Sequence, residues 1–151
     1  MEREHRISAG AIAIQDNQIL LVKYNNTDGT SYLVGPGGGI LGNEGICQSV
    51  IREVREETGL EVNPQKVLFV EDLLSRRYRI VKIWFLCSLI GGRLTNTKGA
   101  IEEGITDVAW YRKEELRNEV VYPPVLLSYD WRAFLQHNWE AKYLELRETD
   151  F

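Results

Sequence analysis

The chain has 151 residues, 44% of them hydrophobic, and a formal net charge of −4 at pH 7. That is enough for one domain with a real core, and the acidic balance argues against general nucleic-acid affinity. Apolar runs are too short to span a bilayer, and the opening Met1-Glu2-Arg3-Glu4-His5 is charged, so one cytoplasmic domain over residues 1–151 is expected.

Ile7 to Ile14 and Ile19 to Tyr24 read as two strands joined at the turn residues Asp16-Asn17, a hairpin. Asn25 to Thr30 is a polar loop, and Tyr32-Leu33-Val34 is a short apolar run. Five glycines then fall within eight residues, Gly35, Gly37, Gly38, Gly39 and Gly42, with Pro36 between. Such a loop lets main-chain groups approach a phosphate or a metal closely.

A helix follows, with Asn43 as N-cap candidate, Glu44 in the first turn and Gly59 at the C′ position. Ile46, Val50 and Val54 form its buried stripe, with Ile51 at the edge. Glu53, Glu56 and Glu57 share a neighbouring face and are expected at the rim of the core, with Arg52 able to pair with Glu56. Three like charges at the wrong end of the macrodipole cost stability, which points to a bound cation; Mg²⁺ is the hard cation that oxygen ligands suit.

Asn63-Pro64 is expected to end the local structure. Val67 to Leu74 and the long run Tyr78 to Ile90 read as strands around a tip at Ser75 to Arg79, the second covered on both faces. Gly91-Gly92 closes it and a loop runs through Arg93, Thr95, Lys98, Glu102 and Glu103. Asp107 to Tyr111 reads as a strand, and Lys113 to Leu116 as a short helical turn. After Tyr122-Pro123-Pro124, the spacing of Trp131, Phe134, Leu135, Trp139, Tyr143 and Leu146 predicts an amphipathic C-terminal helix. Cys47 and Cys87 read as small buried apolar residues rather than a disulfide or metal pair. Strands interleaved with two main helices predict an α+β fold, a mixed sheet between helical layers.

The run Gly38, five residues, Glu44, seven residues, then Arg52-Glu53-Val54-Arg55-Glu56-Glu57-Thr58-Gly59-Leu60 resembles the Nudix box of the MutT-like hydrolases, with every fixed position filled. The resemblance implies the Nudix α/β/α sandwich with a mixed central sheet. It also implies a hydrolase that cleaves a diphosphate linkage using Mg²⁺ or Mn²⁺, with more than one ion. Glu53, Glu56 and Glu57 are then the expected metal ligands, with a main-chain carbonyl near Gly37 or Gly38, while Glu44 supports the loop. Arg52, Glu53, Glu57 and Glu103 are the catalytic candidates. The general base is either a box glutamate, Glu53 or Glu57, or a loop glutamate, Glu102 or Glu103. Leu41 stands where many box sequences carry a further glutamate.

The substrate signals are thinner. Gly37, Gly38 and Gly39 are expected against phosphate, and Tyr32, with Tyr122, as possible base-stacking residues. Ser75 stands where ADP-ribose hydrolases of the family often have proline. Tyr78 lies where dinucleoside polyphosphate hydrolases often have tyrosine, and Arg76, Arg77 and Arg79 are candidates for distal phosphates. Nucleoside triphosphates and dinucleoside polyphosphates are the expected substrates, and the resemblance implies a homodimer. The competing reading is a silent Nudix domain that senses a nucleotide or binds a partner; such relatives lose a box glutamate, and none is lost here.

Overall fold

The computed structural model describes residues 2–150. Alternating apolar residues drive the chain into a nine-stranded mixed sheet with two helices. Strand β1 (Glu4–Gln15) turns into β2 (Gln18–Asn25) through Asp16 and Asn17, both at positive φ, and pairs Ile14 with Ile19. Two consecutive left-handed residues make the tight turn whose twist matches a hairpin. β3 (Ser31–Val34) lies antiparallel to β2, and the three glycines of β4 (Gly37–Gly39) lie antiparallel to Ser8–Gly10 of β1.

Helix α1 (Ile46–Thr58) leads into β5 (Leu60–Leu74), which pairs with β6 (Tyr78–Gly92). β6 runs parallel to β1 from Glu4↔Tyr78 to Ala13↔Cys87, so it is central, as its apolar faces predict. After α2 (Lys98–Glu103), β7 (Ile105–Arg112) pairs with β2 and the short β8 (Val121–Tyr122) with β3. β9 (Lys142–Glu148) closes the far edge, parallel to β5. The sheet order is β8-β3-β2-β1-β6-β5-β9.

The two sheet faces carry different cores. Under α1 lie Ala9, Ala11 and Ala13 of β1 with Val50, Val54, Phe85 and Cys87; the alanines let the helix sit close to the strand. On the opposite face Ile12, Leu21, Leu33, Phe69 and Trp84 pack against Leu126, Trp131 and Phe134 of the C-terminal segment.

Several local expectations are corrected. The predicted C-terminal helix is instead two 3-10 turns, Pro124–Ser128 and Trp131–Leu135, followed by β9. Its aromatics do not share a stripe: Trp131 and Phe134 are buried, whereas Leu135, Tyr143 and Leu146 are exposed. Phe69, Tyr129, Phe134 and Trp139 pack edge to face or tilted at 5.1–5.9 Å, a cage that outweighs a continuous helical stripe. Pro64 does not end β5; the strand absorbs it with a register shift between Pro64 and Lys66. Helix α1 starts at Ile46 with Gly45 as N-cap, not Asn43, and Ile46 and Cys47 are exposed there rather than buried. A short helix, α2, stands where a loop was expected.

Candidate active site

The register of α1 decides which carboxylates face the protein. At 100° per residue, Glu57 lies only about 20° around the helix from Val50 and Glu53 about 60°, whereas Glu56 is about 120° away. Accordingly Glu57 is 1% exposed and Glu53 6%, both inside the buried stripe and not at its rim as the sequence suggested. Glu56 turns outward, its side chain 46% exposed.

The C-terminal end of α1 also builds the other half of the site. Gly59 adopts φ 80°, and a side chain there would run into the Arg93 carbonyl. This left-handed residue ends the helix and lets the Thr58 carbonyl accept from Thr95 N at 3.0 Å. Thr97 then donates its hydroxyl to the Glu56 carbonyl while accepting from Ala100 N at 2.9 Å, so it caps α2 and docks it on α1. Gly99 fits beneath, since a Cβ would stand 2.9 Å from the same carbonyl. Docked in this way, α2 presents Glu103: Glu53, Glu57 and Glu103 each bring a carboxylate oxygen within 4.8 Å of one another. Glu102 is not in this group; it is exposed and 3.8 Å from Lys98.

The group is electrostatically strained without a cation. Burial, then the charges of Glu53 and Glu103, push the Glu57 carboxyl well above the usual carboxylate range. Burial likewise raises Glu53, against the pull of Arg52, and Glu103, against a hydrogen bond with Glu57. Glu56 lies near enough to raise both Glu53 and Glu103. Glu53 Oε2 is buried and has no hydrogen-bond partner among the described residues. Buried carboxylate oxygens are normally satisfied, so an orphan beside two other carboxylates fits a hard divalent cation.

Arg52 braces this arrangement. Its guanidinium donates to both Glu44 oxygens at 3.0 and 2.7 Å, to Glu53 Oε1 at 2.9 Å, to Glu56 at 3.2 Å and to the Gly39 carbonyl at 3.2 Å. Glu44 also accepts from Leu41 N at 2.8 Å, and these contacts hold its carboxyl down to about 2. The glycine loop is thereby tied to the acidic helix. Glu57 Oε2 accepts from Gly37 N at 3.0 Å on the other side.

Gly38 is required by close approach: a Cβ there would stand 2.6 Å from Glu53 Oε1. At Gly37 it would stand 2.5 Å from the Ala9 carbonyl, which cannot yield as a side chain can. Gly38→Ala is therefore expected to displace the Glu53 carboxylate, weakening divalent-cation binding about tenfold at a stability cost under ~1 kcal/mol. Gly37→Ala is expected to cost about 2–3 kcal/mol. Calorimetric cation titration and urea unfolding of the two variants separate these effects.

Beside the cluster opens a cavity of about 250 Å³ lined by Val22, Tyr24, Tyr32, Val34, Gly35, Gly37, Glu57 and Lys82. Tyr24 and Tyr32 stack at 5.3 Å, and Tyr122 meets Tyr32 edge-on at 5.6 Å. Burial and the neighbouring Glu57 and Glu103 keep the Tyr24 hydroxyl protonated. Lys82 holds its ammonium 4.3 Å above the Trp84 ring, and burial lowers its pKa against the pull of Glu71 and Glu57. A larger hollow of about 620 Å³ lies elsewhere, near Ile14, Lys113 and Trp131; there Lys113 donates to the Tyr129 carbonyl and Asp130 pairs with Arg132.

Tyr32 thus lines the cavity, whereas Tyr78 does not; it stands at the start of β6 with the guanidinium groups of Arg6 and Arg77 5.3 and 5.2 Å from its ring. Tyr24 and Lys82 escaped the sequence reading. Lys82 did leave a signal there, as a lone charge in the apolar run Ile80-Val81-Lys82-Ile83-Trp84 of a central strand.

Among the described residues, no helix is long and apolar enough to cross a membrane. The chain is 32% identical over 104 residues to an ADP-ribose pyrophosphatase of Methanocaldococcus jannaschii, an alignment covering 68% of this chain and 62% of the relative. It is 33% identical over 104 residues to a human 8-oxo-dGDP phosphatase, covering 68% of this chain but only 30% of that protein. The chain therefore spans less than two thirds of the length of these relatives. Its fold superposes on the crystal structure of an ADP-ribose pyrophosphatase from Streptococcus suis with a TM-score of 0.67 at 23% identity, covering 92% of this chain and 98% of that one. The NUDIX domain family matches residues 4–129, which include the whole glycine loop, α1 and Glu103, and the chain belongs to that family.

Proposed function

We propose that this protein is a divalent-cation-dependent hydrolase of nucleoside diphosphate-linked compounds, with nucleoside triphosphates and dinucleoside polyphosphates as candidate substrates. One observation carries the reading. Carboxylates from α1 and α2 converge within 4.8 Å, two of them are buried, and one has an orphaned oxygen, beside an aromatic cavity. A packing role would not bring like charges together out of water at this cost. The names of the relatives, pyrophosphatase and phosphatase, agree with the chemistry.

Glu53 and Glu57 are proposed to hold Mg²⁺ or Mn²⁺, with Glu56 closing the group from the solvent side and the Gly38 main chain against the bound phosphate. When bound, the cation would supply positive charge for phosphate oxygens and would acidify water. Glu103, the exposed member of the cluster, is proposed to take a proton from the attacking water as its oxygen bonds to phosphorus. The anhydride P–O bond breaks and the leaving phosphate departs as an anion. Arg52 is a positioning residue that orients Glu53 and Glu44. The Tyr24–Tyr32 wall is proposed to receive the base.

Glu103→Gln is expected to lower kcat by about 10²–10⁴. Titration with Mn²⁺ should still show cation binding, because Glu53 and Glu57 remain. Wild-type kcat in this variant would remove Glu103 from the chemistry.

A further inference from the structure

The Lys82 ammonium is partly buried, lines the cavity, and makes no hydrogen bond or ion pair among the described residues. An ammonium carries three donors and no acceptor, and here no protein group among the described residues takes up any of the three, so they are open to a ligand. Its three acidic neighbours, Glu71, Glu57 and Glu53, already have donors, Glu53 from Arg52 on one oxygen only. Glu71, itself 3% exposed, already accepts from Trp84 Nε1 at 2.7 Å and from Arg147 at 2.8 Å. Glu57 accepts from Gly37 N. The Trp84 ring lies beneath Lys82 and fixes it in place, since the ring fills the space over Gly10 and Gly35. Lys82 is thus a preset donor waiting for an acceptor.

The cavity says which acceptor fits. Val22, Val34 and the tyrosine pair line it together with Gly35, Gly37, Lys82 and the Glu57 carboxylate, which repels an anion. Its volume of about 250 Å³ holds a planar base but not a nucleoside diphosphate. A phosphate dianion among Val22, Val34 and the rings would forfeit its hydration, whereas a base carbonyl would lose little. A lysine meets two acceptors on the carbonyl edge of a 6-oxopurine, but an acceptor and a donor on adenine.

We infer that Lys82 reads the carbonyl edge of the base, making this site selective for oxo-base nucleotides over adenine nucleotides. The inference rests on the proposed role of the cavity as the base subsite. A site built to donate to a carbonyl rejects the analogue that lacks it, because the donor is left unpaired.

The test uses inosine and adenosine 5′-monophosphates, which differ at the 6-oxo or 6-amino group and carry no anhydride bond, so binding is read without turnover. Calorimetry in Mg²⁺ should give at least about tenfold tighter binding of the inosine nucleotide to the wild type. Lys82→Met should abolish that preference by losing inosine-nucleotide affinity. Lys82→Arg, still a donor-only cation, should keep it. Equal wild-type affinities, binding of neither nucleotide, or an equal loss of both in Lys82→Met would overturn the inference; the last would make Lys82 a phosphate ligand. Cation binding and anhydride hydrolysis are measured separately, so their failure would sink the proposed function and not be confused with this result.

Discussion

Glu57→Gln is expected to cut cation-dependent turnover by at least about 10³-fold while making the metal-free protein more stable. Glu57 is 1% exposed and surrounded by Glu53 and Glu103, so its charge is the most expensive in the site. Glutamine keeps the shape and still accepts from Gly37 N, but carries no charge to desolvate or to hold a cation. The sign follows from linkage. Burial raises the folded-state pKa above the ordinary 4.5, so the stabilising protonated form is present below that pH and is lost as pH rises through the folded value. The variant should therefore match wild type in acid and exceed it by on the order of 1–2 kcal/mol, or about 3–6 °C in Tm, at pH 8 in EDTA. Mg²⁺ should raise Tm in the wild type and leave the variant unmoved. Differential scanning calorimetry across pH, with and without Mg²⁺, reads both effects; a variant that melts lower in EDTA would show that Glu57 is a structural acid.

The largest stability loss is expected at Trp84, which is fully buried on the cavity side of the sheet. Its ring occupies the volume where Cβ atoms at Gly10 and Gly35 would collide at 2.4 and 2.6 Å, and its Nε1 satisfies buried Glu71. Trp84→Ala opens a cavity and strips Glu71 of a donor, at about 4 kcal/mol, or roughly 10 °C in Tm. Trp84→Phe keeps most of the ring but still loses the hydrogen bond, so about 2 kcal/mol is expected. Urea unfolding of both variants checks the values. A loss under ~1 kcal/mol for Trp84→Ala would mean that the site relaxes around the deletion.

The acidic helix was legible in the sequence because its spacing is local. Gly38, Glu44 and Arg52 to Leu60 give the helix, its left-handed stop at Gly59 and the Arg52–Glu56 pair, found at 3.2 Å. The burial of Glu53 and Glu57 was equally available from the helical angle to Val50, yet their charge argued for the rim. The partnership with Glu103 was not local. It depends on Thr97 docking α2 onto the Glu56 carbonyl, 41 positions away along the chain. Lys82 belongs to the same class, since only the pairing of β6 with β1 and the glycine loop brings it to the cavity. The C-terminal helix failed for another reason: Phe134 and Trp139 pack around Phe69 while Trp131 donates to the Leu126 carbonyl and Tyr143 to Asp72, so side-chain spacing carried no backbone period.

Glu53 and Glu57 are proposed to hold a divalent cation beside Glu103, in a site that hydrolyses a phosphoric anhydride. The most direct test pairs equilibrium Mn²⁺ binding with phosphate or nucleotide release from a panel of nucleoside triphosphates, dinucleoside polyphosphates, ADP-ribose and nucleotide sugars, run with Mg²⁺, Mn²⁺ and EDTA. Mn²⁺ is expected to bind the wild type and not Glu57→Gln, and EDTA is expected to abolish release. A folded wild-type protein that binds no Mn²⁺ at millimolar concentration and releases nothing would contradict the proposal.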